Sequence, residues 1–403
     1  MLRINLSPTS RRLLPLYISA ALQGIPFWYA IEKLFMVSIG FNTASIGLMV
    51  AIMSLVMLVV ETPSGILADR WSRKGVAILG CAALLIGSVV GALSFNELVY
   101  LLSAVFWGIY SALYSGAYDA MIYDTAVEED GDSHKFQYYL GRLRAIQGAS
   151  FVIGALVGGL IASTLAMRDT YIFSIPFIAL AFFFLWKFRE PQLHKAEVAQ
   201  PVFKHIRQTF AAVLKNPVLL PVVIATVGFG VLQETVFELT QLWFIAVATP
   251  IALYGLFSAV VYSSWTIGGS LAARIKSKPA TITIMTALLI AVAGLILTRH
   301  FWLILAAQFV LAICLVALSV ILAKRMHDEL PSRLRAGSAS VVSTLARILI
   351  IPETLVFTAV ANNRSIFSAT YILLGVAVVS IAAYLFISPV KKGSLSLQTK
   401  DLQ

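Results

Sequence analysis

Charge is scarce in this chain. Asp, Glu, Lys and Arg make up 12% of its 403 residues, while apolar residues make up 59%. Water-soluble domains carry about a quarter charged residues and under half apolar ones. With so little polar surface the chain cannot cover itself in water, and its mean hydropathy of +0.89 points to lipid as the cover. No polar stretch is long enough for a separate soluble domain. Cysteine is nearly absent: Cys81 and Cys314 both lie in apolar runs, which suits packing and argues against a disulfide or a metal site. No histidine falls in an HExxH-like spacing, and there is no GxxxxGK[ST] loop. An intramembrane metalloenzyme and a nucleotide-driven pump are thereby disfavoured, no cofactor is required, and a gradient must supply the energy. The opening MLRINLSPTSRR lacks the apolar core and small-residue cleavage site of a signal peptide, so the first helix is expected to stay.

What is present is a series of long apolar runs. A helix needs about 20 apolar residues to cross hydrocarbon, and twelve such runs fall at roughly 13–38, 43–66, 75–95, 98–123, 141–164, 170–188, 218–247, 251–273, 280–298, 301–323, 337–361 and 366–388. These are spans 1 to 12 of an all-α polytopic membrane protein. Connections are short except for one of about 28 residues, 189–216, at the midpoint. Within it Phe203, Ile206, Phe210 and Leu214 share a helical face beside Lys204, His205, Arg207 and Lys215, the pattern of a helix lying on a membrane surface. Both termini share a side. Placing them in the cytoplasm puts 25 of the 30 Lys and Arg residues there, with only Arg168, Arg299 and Arg364 outside and Lys33 and Arg347 within spans. That is a strong positive-inside bias, expected for a bacterial cytoplasmic membrane, and it explains the net charge of +11 without nucleic acid.

The second half repeats the first. LLP at 13–15 returns at 219–221, an offset of 206 that also maps Glu32 onto Glu238. IGLM at 46–49 answers YGLF at 254–257, GILADRWSRK at 65–74 answers GSLAARIKSK at 269–278, and RLRA at 142–145 returns at 333–336. The order is preserved throughout. The expected organisation is a six-helix bundle over 1–188, a linker over 189–216 and a second six-helix bundle over 217–403. Such repeats suit a carrier whose halves rock about a site at the bilayer midplane.

Gly65-Ile66-Leu67-Ala68-Asp69-Arg70-Trp71-Ser72-Arg73-Lys74, between spans 2 and 3, resembles the signature loop of the major facilitator superfamily, G-x-L-a-D-r-x-G-r-k. Ser72 departs from it, standing where the family has glycine, and the second-half copy carries Ala273 where the acid would be. The layout of twelve spans, the long middle loop and ELPSRLRAGSAS at 329–340 resemble the same family. The resemblance implies that the loop is a latch on the inner gate. Gly65 should allow close helix approach, and Arg70, Arg73 and Lys74 should hold the loop in the cytoplasm. Asp69 should meet helix amides or arginines, with Asp124 or Arg144 as charge partners.

Ionisable groups inside spans are costly and usually functional. Here they are Glu32, Lys33, Glu61, Asp119, Glu234, Glu238, Arg347 and Glu353. Glu234, Glu238 and Gln241 form one polar stripe on span 7. The resemblance implies that spans 1, 4, 7 and 10 line the cavity. Two carboxylates about 6 Å apart in a low-dielectric site resist joint ionisation, as a proton-coupling or cation site requires. Lys33, turned about 100° from Glu32, is expected to snorkel outward, while Glu32 is a coupling acid, an outer-gate residue or one member of an ion pair. Glu61 reads as part of the gate. Trp107, Tyr110, Tyr114 and Tyr118 share one face of span 4, either packing or touching substrate, and Asp119 points elsewhere toward a neighbour. Arg347, in line with Ser340, Thr344 and Thr354, should face the interior to neutralise a carboxylate or bind an anion. Gly148, Gly154, Gly158 and Gly159 resemble the glycine-rich antiporter motif of drug exporters, although Ala155 replaces its proline and the span 4 arginine motif is missing; equally, they allow tight helix packing. The expectation is a monomeric secondary transporter exporting lipophilic or cationic small molecules against protons. The alternative is an uptake symporter or facilitator for an organic acid or sugar, centred on Arg347.

Overall fold

The computed structural model describes residues 7–114, 116–132, 134–191, 219–275, 277–329 and 332–387, without the side chains of 62, 69, 327–329 and 332–341. The amphipathic connector segment, Ser115, Lys276 and the charged carboxyl terminus therefore lie outside the described residues. So do the side chains of Asp69, Ser340 and the 332–340 stretch.

Every regular element among the described residues is helical. Span 1 is broken into Pro8–Gln23, a 3-10 turn Phe27–Ala30 and a short helix Glu32–Ser38, the last bent by 45° from what precedes it. Pro26 has no N–H to donate and disfavours the helical conformation at Ile25, so the helix stops at Gln23. Spans 2 and 3 are Thr43–Arg70 and Arg73–Leu93. Span 4 is also interrupted, Glu97–Tyr114 giving way to Ala117–Asp130 at Gly116, whose φ of 79° a side chain would resist. Spans 5 and 6 are Phe136–Thr164 and Met167–Lys187. Spans 7 to 12 are Leu219–Ala246, Ile251–Arg274, Lys278–Leu297, Phe301–Glu329, Ser332–Asn363 and Ile366–Leu385. Eleven helices among the described residues are long and apolar enough to cross a membrane, or twelve when the bent pair counts as one span.

Several helices outrun their apolar cores at one end: span 2 continues to Arg70, span 4 to Asp130 and span 10 to Glu329. This end also carries Arg12, Arg73, Lys74, Arg144 and Arg274, and is called here the basic end; the other is the far end.

Spans 1 to 6 pack mainly on one another, as do spans 7 to 12, and the two sets meet chiefly where span 5 lies on span 8 and span 2 on span 11. Both seams close through glycine near the far end. A Cβ on Gly159 would sit 2.5 Å from Gly255 Cα, and one on Gly47 1.8 Å from Thr358 Oγ1. Gly158 presses equally hard on the span 1 break, 1.9 Å separating its hypothetical Cβ from the Phe27 carbonyl oxygen. The glycine pattern of span 5 is thus a packing device in this structure. Gly65 is not: among the described residues a Cβ there meets nothing within 4 Å, so the close approach expected of it is not seen in this conformation.

Candidate functional site

Among the described residues two charge clusters join the halves. The first lies toward the far end. Lys33 is buried and reaches Glu32 Oε2 at 2.7 Å and Glu238 Oε1 at 2.6 Å. It therefore does not snorkel: the helix break redirects Glu32–Ser38 and turns Lys33 inward, which the angle computed for an unbroken helix missed. Glu32 also accepts from the Tyr100 hydroxyl at 3.3 Å, and Tyr100 pairs with the Tyr171 hydroxyl at 2.7 Å. Gln241 clamps the break itself, accepting from the Lys33 backbone N–H at 2.9 Å and donating to the Tyr29 carbonyl at 2.7 Å. Ser258 of span 8 donates to the Ala30 carbonyl at 3.4 Å. The opposite half thus satisfies several polar groups freed by the break, while Ser174 of span 6 accepts the Phe27 N–H at 2.9 Å.

The second cluster lies closer to the basic end. Arg347 of span 11 stands 3.6 Å from Glu61 of span 2 and 3.7 Å from Glu234 of span 7. Arg347 faces inward as expected, and its place between two acids is the neutralising one. The stripe on span 7 is therefore split. Glu238 and Gln241 serve the far end, while Glu234, its side chain 51% exposed, serves this wetter cluster. Glu353, six residues on from Arg347 in the same helix, accepts from Thr235 at 2.7 Å.

Aromatic side chains form a separate row. Tyr110 and Tyr114 lie 5.4 Å apart between ring centres, and Tyr114 stacks on Tyr118 at 4.3 Å despite the break between them. Tyr118 accepts from Gln23 at 2.6 Å, and Tyr114 accepts from Gln147. Trp107 leaves this row: it stacks on Trp28 at 4.6 Å inside the first six helices. Tyr29, Phe151 and Tyr262 form another row across the seam, at 5.5 and 5.9 Å.

At the basic end Arg73 pairs with Asp124, the partner expected for the loop, whereas Arg144 pairs with Asp119 at 2.8 Å instead. Arg70 is exposed. Ser72 caps span 3 through the Gly75 N–H at 2.8 Å, with an extended φ of −169° that needs no glycine. It also donates to Glu190 at 2.6 Å, and Glu190 accepts the Lys74 N–H at 3.0 Å. Sequence reasoning overlooked Glu190, Gln23 and the Tyr100–Tyr171 pair. Only the break had a readable signal, in Gly24 and Pro26.

Residues 13–352 match the family described as the Major Facilitator Superfamily. The chain belongs to that superfamily. It is 30% identical over 185 residues to the efflux pump ustT of Ustilaginoidea virens, covering 45% of this chain and 32% of that protein. It is 24% identical over 139 residues to the quinolone resistance protein NorA of Staphylococcus aureus strain MRSA252, covering 34% of each. The chain thus spans about a third of the length of these curated relatives. Among solved structures, the nucleoside transporter NupG is similar with a TM-score of 0.76 at 15% identity, covering 94% of this chain and 100% of that one. A bacterial homologue of the human lysosomal transporter Spinster, inward-facing and unoccupied, is similar with a TM-score of 0.70 at 15% identity, covering 94% and 96%. The structural likenesses establish the fold, and membership of the superfamily makes this a multi-pass transport protein and not an enzyme.

Proposed function

We propose that this major facilitator superfamily transporter exports lipophilic or cationic small molecules in exchange for protons. The observation that carries the reading is the Arg347 cluster. One arginine and two carboxylates, drawn from both halves and partly exposed, leave an excess acid, and span 4 carries a row of stacked tyrosines. A cation or a proton answers that excess charge, and flat aromatic faces suit a lipophilic body. The efflux and drug-resistance names of the two relatives support export. Since two acids already engage Arg347, the anion site that would favour uptake of an organic acid loses its main support.

In this reading residues 1–188 and 217–403 rock as two bundles about linker 189–216, and a single chain suffices. The basic end faces the cytoplasm of a bacterial cell, so the structure is closed toward the exterior. Glu234 carries the proton or meets the cargo, and Tyr114 and Tyr118 form its aromatic contact. Asp119 braces span 4 against Arg144. Gly65, Asp69, Arg70, Arg73 and Lys74 with Asp124 form the inner latch. The test is purified protein in liposomes under an imposed pH gradient: cationic dyes should move against the proton flow, and Glu234→Gln should uncouple them. Unchanged coupled transport in that variant would remove Glu234 from the mechanism.

A further inference from the structure

The far-end cluster is asymmetric. Glu32 and Lys33 are neighbours in the chain and belong to the same half, so their 2.7 Å pair survives any separation of the bundles. Tyr100, also in that half, stays with Glu32. The 2.6 Å contact between Lys33 and Glu238 crosses the seam and must break for the far end to open. Opening therefore leaves Lys33 compensated and strands a single charge, Glu238. Burial is graded in the same order, with side-chain exposures of 1% for Lys33, 8% for Glu32 and 27% for Glu238, so the acid that loses its partner is already the one nearest open space. A carboxylate flanked by apolar helices is costly when uncompensated. Around it the charged and titratable groups are Glu32, Lys33 and Tyr29 on span 1, Glu234 one turn back on span 7, and Tyr262 on span 8. None but Lys33 supplies a positive charge.

We propose that Glu238 is a second cation site, filled by the Lys33 ammonium while the far end is closed and by an organic cation in transit when it opens. The proposal rests on the cationic-cargo reading above and assigns it a release stage. Cargo passing from Glu234 to Glu238, one turn along the same helix, meets Lys33 as a tethered competitor, and closure of the far end expels it. A cation bound at Glu238 and a closed far end exclude each other, which couples discharge to resetting.

The test is equilibrium binding of tetraphenylphosphonium, a permanent cation, to the purified full-length protein. Removing the competitor in Lys33→Gln should tighten binding about tenfold by raising the binding-competent fraction. Lys33→Arg should behave as the unaltered protein. Glu238→Gln breaks the same cross-seam contact but removes the carboxylate, so it should bind no tighter than the unaltered protein. Should Lys33→Gln not fold, the Glu32→Gln/Lys33→Gln double variant keeps the cluster's net charge and should show the same gain. Equal binding to the unaltered protein and the competitor-free variant overturns this inference alone. So does tight binding by Glu238→Gln, which would make opening itself the cause. Absence of binding to every protein, the unaltered one included, overturns the cationic-cargo reading together with this inference.

Discussion

The two ion clusters that tie the halves together among the described residues have the same ingredients, one base between two acids, and opposite characters. At Lys33 the contacts are 2.6 and 2.7 Å with the ammonium 1% exposed, and the neighbouring backbone is clamped by Gln241 and Ser258. At Arg347 the contacts are 3.6 and 3.7 Å, with Glu61 and Glu234 37% and 51% exposed. Glycine makes the difference. Gly158 and Gly159 let backbones touch near the far end and Gly47 seats the Thr358 side chain, which shuts water out around Lys33. No equivalent approach tightens the Arg347 region among the described residues: Gly148 has Thr266 at 3.9 Å as its nearest neighbour. A dry, short pair acts as a fastener. A wet, long one is available to other ions.

This contrast can be broken at its strongest point first. Valine at Gly158 would drive side-chain atoms into the Phe27 carbonyl, which backbone cannot yield cheaply. Glycine-to-valine there should cost at least about 3 kcal/mol and abolish transport, read by thermal denaturation and dye flux. Next, Lys33→Met leaves two acids without their base and should cost about 3–5 kcal/mol, while the Glu32→Gln/Lys33→Met/Glu238→Gln triple variant should recover most of it. By contrast Arg347→Gln should change stability by less than about 1 kcal/mol, because the pairs are long and hydrated, yet should sharply reduce flux. An equal stability loss at Lys33 and Arg347 would erase the distinction. The smallest effect belongs to Ser72→Gly, about 0.5 kcal/mol, since glycine is itself a tolerable cap although the side-chain bonds to the Gly75 N–H and to Glu190 are lost.

Much of this was legible beforehand, for identifiable reasons. Hydrocarbon thickness imposes a length on every span, so the apolar runs mark them with errors only where polar ends extend past the bilayer, as at Arg70 and Glu329. The fixed spacing of Gly65 to Lys74 carried the family. Glu32 and Glu238 were paired as repeat mates before they were seen to share one lysine. Lys33 was misread because its direction was taken from a continuous helix, although Gly24 and Pro26 announce the interruption. The tyrosine face kept its row across Gly116, Tyr114 stacking on Tyr118, and only Trp107 left it for Trp28. Arg347 with Glu61 and Glu190 with Ser72 join residues 286 and 118 positions apart. Such pairings depend on which helices become neighbours, which local periodicity does not encode.

The central claim is that the halves close alternately at the two ends. Paired spin labels test it most directly. One pair spans the far end, at Leu98 and Asn362, and one the basic end, at His134 and Lys278, all exposed positions. Acidifying liposome-embedded protein, or adding a cationic dye, should lengthen the first distance and shorten the second together. Distances that stay fixed, or that change with the same sign, would contradict the account.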